Sequence, residues 1–195
     1  SRSLEGPMMI WGEHDSIKNS SNEYAITHDD IHEVFTDYQD TILLVDKGEK
    51  QVSSTVGHGL MHGHPFATER FKQAQDNMLQ MLDILKSGNL KSFINLVESE
   101  ALTLHAMMMT SNPYFILMKP NTLEIINRIW TFRNSTDSNL CFTLDAGANV
   151  HLLYPKNEVK MTLDFIKNEL VAFCKNGEYL CDNVGSGAST LMKSE

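Results

Sequence analysis

The chain predicts an α+β fold, an antiparallel sheet covered by amphipathic helices, and three observations carry that expectation. Apolar residues recur at helical spacing along four separate stretches. Short apolar runs bounded by turn residues read as strands. Their order is strand, helix, helix, helix, strand, strand, helix. A length of 195 residues suits one large domain, and 42% apolar with 21% charged residues is ordinary for a globular chain.

The first forty residues are the least periodic. Trp11, Ile17, Tyr24, Ile26, Ile31 and Phe35 are apolar islands among Gly, Asn, Ser and Asp, so residues 1–40 read as an irregular covering segment. Thr41-Ile42-Leu43-Leu44-Val45 is a continuous apolar run that stops at Asp46-Lys47-Gly48-Glu49, a strand followed by a turn. Gln51 to Thr55 extends or pairs beside it, and the glycine-punctuated stretch from Val56 to His64 reads as a loop.

His64-Pro65 opens the first helix, because proline at the first helical position lacks an N–H that would have no partner there. Ala67, Phe71, Ala74, Met78, Met81, Leu82 and Leu85 form its stripe, and Ser87-Gly88-Asn89 ends it through a left-handed glycine. Phe93, Val97, Ala101, Leu104 and Met108 mark the second helix. Asn121-Thr122-Leu123-Glu124 has capping-box spacing and starts the third, with Leu123, Ile126 and Trp130 inward. Two strand-like runs, Leu140–Leu144 and Asn149–Tyr154, are joined by Asp145-Ala146-Gly147-Ala148, short enough for a hairpin. Val159, Leu163, Ile166, Leu170 and Phe173 give the fourth helix, entered through Pro155. The Gly- and Ser-rich residues from Asp182 to Glu195 carry no stripe and are expected to be partly disordered. The division is then 1–40, a domain over 41–182, and a flexible tail over 183–195.

Several function classes are excluded. No apolar run approaches the roughly 20 residues of a membrane helix, and the opening residues lack the basic-then-apolar layout of a secretory signal. A net charge of −9 disfavours a general nucleic-acid or anionic-membrane surface. Cys141, Cys174 and Cys181 are odd in number and widely spaced, which suits thiols in a reducing cytoplasm better than a disulfide framework or a four-ligand zinc site.

Candidate chemistry is sparse. His58, His62 and His64 cluster in the glycine loop, but no carboxylate stands at ligand spacing, so they read as solvated loop histidines and no metal site is assigned. Met107-Met108-Met109 reads first as adaptable core packing; a partner-facing patch is the alternative, because a run of three must put one side chain off the helical stripe. His105 reads as a satisfied core or interface histidine. Ser53-Ser54-Thr55 ends a strand before a glycine loop, where hydroxyls and free N–H groups can converge on an anion; ordinary polar strand-end residues are the alternative. Asp145 ends an apolar strand beside Gly147, where partial desolvation would tune a carboxylate for proton abstraction; an ordinary turn aspartate is the alternative.

Taken together, Val52-Ser53-Ser54-Thr55, Glu100-Ala101-Leu102-Thr103-Leu104-His105-Ala106 and Phe142-Thr143-Leu144-Asp145-Ala146-Gly147-Ala148-Asn149-Val150 resemble the mevalonate diphosphate decarboxylases of the GHMP kinase superfamily, in a bacterial version. The resemblance runs from Ser1 to about Asp182, and the segment around Asp145 is its specific part. It implies a ferredoxin-like C-terminal GHMP kinase domain, a cytoplasmic homodimer, and ATP-dependent conversion of mevalonate 5-diphosphate to isopentenyl diphosphate, ADP, phosphate and CO2. It implies catalysis by Asp145, with Arg2 orienting the substrate and Ser54, with its neighbour Ser53, near the substrate and ATP phosphates. Residues 1–40 then come from the domain junction. Ala148 stands where the family usually has proline, which loosens the turn. The family's phosphate loop and diphosphate-binding lysines do not precede Ser1, so ATP and Mg2+ are expected to be held mainly by a missing N-terminal half. Alternatives are a GHMP-fold binding module without chemistry and a related mevalonate-pathway kinase.

Overall fold

A computed structural model of the chain describes residues 6–48 and 59–187. Arg2, Ser53, Ser54 and His58 lie outside the described residues. Strands Met9–Trp11 (β1) and Ala25–Thr27 (β2) pair as a small antiparallel ribbon. Gln39–Leu43 (β3) is followed by helices Ala67–Ser87 (α1), Leu90–Met109 (α2) and Pro120–Thr136 (α3). Cys141–Leu144 (β4) and Val150–Tyr154 (β5) come next, then helix Val159–Phe165 (α4), and Tyr179–Asn183 (β6). The four longer strands form one antiparallel sheet in the order β4-β5-β3-β6. The α+β architecture and the element order from β3 to α4 follow the sequence expectation.

Alternation along the strands gives the sheet two different faces. Leu43, Phe142, Val150 and Leu152, all fully buried, pack with Ile125 and Ile129 of α3, Phe165 of α4, and Ile166 and Leu170 beyond it. A second cluster forms where Phe35, Tyr38, Ile84, Leu85, Phe93 and Val97 meet Cys141. Helix α2 serves both clusters, giving Ala101 to the first and Phe93–Val97 to the second. Its buried Glu98 receives Arg133 Nη1 at 2.6 Å and Trp130 Nε1 at 2.9 Å, while Arg133 also donates to the Leu140 carbonyl at 2.9 Å. One carboxylate thus ties α2, α3 and the entry to β4, and burial is tolerated because its oxygens are paired.

The turn between α1 and α2 behaves as read. Gly88 is left-handed (φ 72°), its N–H returns to the Ile84 carbonyl at 3.0 Å, and Asn89 Oδ1 caps α2 by accepting from Ser92 N at 3.0 Å. A Cβ at Gly88 would also meet the His32 ring at 2.6 Å.

Other expectations are corrected. β3 runs from Gln39, not Thr41 to Val45; Leu44 leaves the ladder to donate to the Glu178 carbonyl at 3.2 Å. Residues expected to be irregular contain the β1–β2 ribbon, and Tyr179–Asn183 forms an edge strand across the start of the expected tail. Along α1, Phe71 is 56% exposed while Ile84 is buried. On α2, Leu104 is 36% exposed. α3 starts at Pro120, one residue before Asn121, and buries Ile125 and Ile129 while Leu123 faces solvent, because the helix turns its Ile125–Ile129 ridge to the sheet. α4 continues through a π turn at Ile166–Leu170 and a 3-10 turn at Val171–Phe173.

Candidate active site

Asp145 stands where β4 ends and the turn to β5 begins, and the backbone of that turn is fastened from three elements. His105 of α2 donates Nε2–H to the Asp145 carbonyl at 3.1 Å. Thr122, fully buried in the first turn of α3, donates Oγ1–H to the Ala148 carbonyl at 2.6 Å and accepts from Lys119 N at 3.1 Å. Asn149 Oδ1 accepts from Asp46 N, just past β3, at 3.0 Å. Within the turn, Gly147 N donates to the Asp145 carbonyl at 2.7 Å. These bonds hold the main chain where proline is absent at Ala148.

The Asp145 side chain is treated differently. It is exposed and has no hydrogen-bond partner among the described residues. A Cβ placed on Gly147 would meet nothing within 4 Å, so open space lies next to the turn. A fixed backbone carrying a free carboxylate into open space is the arrangement a positioned base or ligand-orienting group requires.

His105 is the satisfied histidine the sequence suggests, and it is 1% exposed. Burial holds its imidazole below the ordinary histidine range, and the bond to the Asp145 carbonyl only partly offsets this. The neutral ring with hydrogen on Nε2 fits a carbonyl that can only accept. Sequence places His105 on the second helix near the methionine run and off the stripe; its link to the Asp145 backbone is set by tertiary packing and leaves no spacing signal. Thr122 shows the same limit: the sequence suggests a box from Asn121 to Glu124, whereas Thr122 itself accepts from Lys119 N, and neither that bond nor the one to Ala148 is legible.

His64 departs from the solvated-loop reading. It is buried, with Nε2 3.1 Å from the Met107 carbonyl and 3.2 Å from Thr110 Oγ1, and Nδ1 accepting from Phe66 N at 3.1 Å. It fastens the entrance of α1 to the end of α2. Met107 and Met108 are buried there and Met109 is 41% exposed, so one member of the methionine run does leave the stripe. Among the described residues, no group of three His, Cys, Asp or Glu is arranged to hold a metal ion. Mg2+ therefore finds no protein cage among them, and no chemical step is assigned to it.

An antiparallel β4-β5-β3-β6 sheet under helices, with a clamped Asp-Ala-Gly-Ala-Asn turn at one end, is the α+β class expected from the resemblance to a C-terminal GHMP kinase domain. Residues 41–191 match the mevalonate 5-diphosphate decarboxylase C-terminal domain family. The chain belongs to that family. Solved structures of similar fold include mevalonate diphosphate decarboxylase from Trypanosoma brucei, with a TM-score of 0.78 and 20% identity over 100% of this chain and 60% of that one. The enzyme from Legionella pneumophila gives 0.69 at 27% identity, over 80% of this chain and 47% of that one. A curated relative, phosphomevalonate decarboxylase of Haloferax volcanii, is 30% identical over 115 residues, 59% of this chain and 34% of that protein. The chain thus spans about a third of the curated relative and 47% to 60% of these solved chains. Among the described residues, no helix is long and apolar enough to cross a membrane.

Proposed function

We propose that this chain is the substrate-side half of an ATP-dependent decarboxylase acting on mevalonate 5-diphosphate, with Asp145 at the reacting hydroxyl. The observation that carries the reading is the exposed Asp145 carboxylate on a backbone clamped by His105, Thr122 and Asn149. In the first step the tertiary hydroxyl oxygen bonds to the γ-phosphorus of ATP, ADP departs, and the hydroxyl proton passes to Asp145. In the second, the bond to the carboxylate carbon breaks, its electron pair forms the new double bond, and phosphate leaves with CO2. Phosphoryl transfer depends on position and charge, so a carboxylate that aligns the hydroxyl and takes its proton suffices on this side.

Arg2, whose planar fork suits a carboxylate or diphosphate, is proposed to orient the substrate, with Ser53 and Ser54 near the phosphates. The ATP cradle is proposed to come from polypeptide outside these 195 residues. That polypeptide would meet the apolar surface at the end of α2 and the segment after it, where Met109 is 41%, Tyr114 77% and Ile116 65% exposed. Two solved structures of one relative are described with mevalonate diphosphate, one of them also with an ATP analogue and magnesium, which supports ATP and Mg2+ as the nucleotide and ion. The Haloferax relative is named for phosphomevalonate, a substrate with one phosphate fewer, so the second reading is a decarboxylase of the monophosphate.

The test uses the enzyme with both halves present. Asp145→Asn should keep substrate binding and lose roughly 10²–10⁴-fold in turnover, since the amide preserves shape but does not take the proton. Release of CO2 from the diphosphate but not the monophosphate supports the first substrate, the converse supports the second, and phosphorylation without CO2 identifies a kinase. Turnover of Asp145→Asn within a factor of about two of the parent removes Asp145 from the chemistry.

A further inference from the structure

The Asp145 turn ends in a residue with half of its side chain unused. Asn149 is half-buried and immediately precedes Val150, which pairs with Leu144 of β4 on one side and Leu43 of β3 on the other. The carbonyl before it, on Ala148, accepts from Thr122 Oγ1 at 2.6 Å. Its own side chain reaches the exit of β3, where Asp46 N donates to Oδ1 at 3.0 Å. A backbone N–H only donates, so the atom it meets is the oxygen, and the orientation of the amide is fixed. The NH2 group carries two hydrogens that have no acceptor among the described residues. An anchor for one N–H needs only an oxygen, which an aspartate would supply as well. The nitrogen half of Asn149 is surplus to the fold.

We propose that the Asn149 amide is a substrate-binding group, whose Nδ2 hydrogens bond an anionic oxygen of the substrate that Asp145 acts on. The inference rests on the proposed role of Asp145 and on a substrate that carries a carboxylate and phosphates. Position supports it: Asp145 and Asn149 flank Leu144 and Val150, the last pair of the β4–β5 ladder, so both stand at the mouth of one hairpin. Open space lies between them, since a Cβ on Gly147 would meet nothing within 4 Å. Asp46, which Asn149 holds, begins the segment that leads to Ser53 and Ser54, the proposed phosphate contacts. Preorganisation supports it too. The amide is fixed by the Ala148 carbonyl bond, the Val150 pairing and the Asp46 bond, so little freedom is lost when it binds. The chemistry then explains the residue type. A neutral donor suits an anionic oxygen, whereas a carboxylate at the same place would hold Asp46 equally and repel the substrate.

Two measurements on the enzyme with both halves test the donor. In the first, saturating mevalonate 5-diphosphate without nucleotide should move the Asn149 Nδ2 proton resonances downfield. Unmoved resonances overturn the proposal without any substitution. The second uses Asn149→Asp. Its carboxylate still accepts from Asp46 N, so amide exchange at Asp46 should stay slow, whereas Asn149→Ala should quicken it. An Asn149 that only anchors the turn is therefore replaced by Asp without loss, and a substrate donor is not. KM of Asn149→Asp should rise about 10–100-fold, more than kcat falls, as expected for a lost hydrogen bond to a charged group. A new charge also acts at a distance, so KM is measured again at about 1 M salt, where the screening length is roughly 3 Å. A rise that persists supports the contact; a rise that vanishes there, or a KM equal to the parent's, overturns it. Inhibition by inorganic pyrophosphate identifies the oxygen. If Asn149→Asp weakens that inhibition, the amide meets the diphosphate; if inhibition is unchanged while KM rises, it meets the carboxylate. Unaltered turnover of Asp145→Asn is a separate failure, which removes the base and leaves the Asn149 resonance shift and KM effect in place.

Discussion

The two faces of the sheet are built from the same strands and do opposite work. Toward α3 and α4 stand Phe142, Leu152, Val150 and Leu43, all fully buried. One residue along each strand, toward the open face, stand Thr143, His151 and Ile42, half-buried, with Leu180 of β6 55% exposed. Strand parity therefore separates the two toward the Asp145 end of the sheet. One face anchors the strands throughout, and the other is covered by the second cluster at Cys141 and Leu153 and opens toward Asp145.

The strongest way to break this contrast is to truncate one side chain on each face. Phe142→Ala should cost about 3–5 kcal/mol, since it removes a fully buried ring and leaves a cavity between the sheet and α3. Leu180→Ser, on the exposed edge of the open face, should stay within about 0.5 kcal/mol. Urea unfolding midpoints at constant slope measure both. Equal losses would mean that the open face is covered and that the parity argument fails.

A narrower test addresses the junction between the faces. Thr122→Val keeps the shape of a fully buried side chain but deletes the bond to the Ala148 carbonyl and the acceptor for Lys119 N. Leaving those groups unpaired should cost about 1–3 kcal/mol. Because the carbonyl belongs to the Asp145 turn, amide exchange at Gly147 and Asn149 should quicken more than exchange in the middle of β5. Uniform quickening across the sheet would show that Thr122 supports α3 generally and not the turn.

How legible each region is in sequence follows the same division. The helices facing the core announce themselves, since burial along one side imposes apolar spacing, and the β4–β5 hairpin is visible because one of its faces is buried throughout. β6 is not visible. Leu180, Cys181, Asp182 and Asn183 are exposed, so Tyr179–Asn183 carries no alternation, and the strand exists because its backbone completes the free edge of β3. The three-residue strands of the ribbon are too short to show a period. At the candidate site, Asp145 could be singled out from its strand-end position and family resemblance. His105 and Thr122 reach its turn from α2 and α3, and Asp46 from just past β3, and contacts across such separations leave no local pattern.

The smallest expected effect, and the sharpest test of the contrast, lies in the two histidines near Asp145. His105 is buried and held below the ordinary range by desolvation, while His151 is held above it by Asp40. In the unfolded chain both titrate near about 6.5. For His105 the unfolded state binds the proton more readily, so its contribution is present above that pH and is lost as pH falls toward the folded value. For His151 the folded state binds the proton more readily, so its contribution is complete below about pH 6.5 and is lost as pH rises through the folded value. The pair should give a stability maximum between the two, with the alkaline limb on the order of 1 kcal/mol or less, as for other partly exposed ionic contacts. Unfolding midpoints measured from pH 5 to 9 check this. Asp40→Asn should flatten the alkaline limb and leave the acid one, and His105→Gln should flatten the acid limb and leave the alkaline one. If both substitutions alter the same limb, the histidines share one environment, and the separation of a buried side from an open side at Asp145 is wrong.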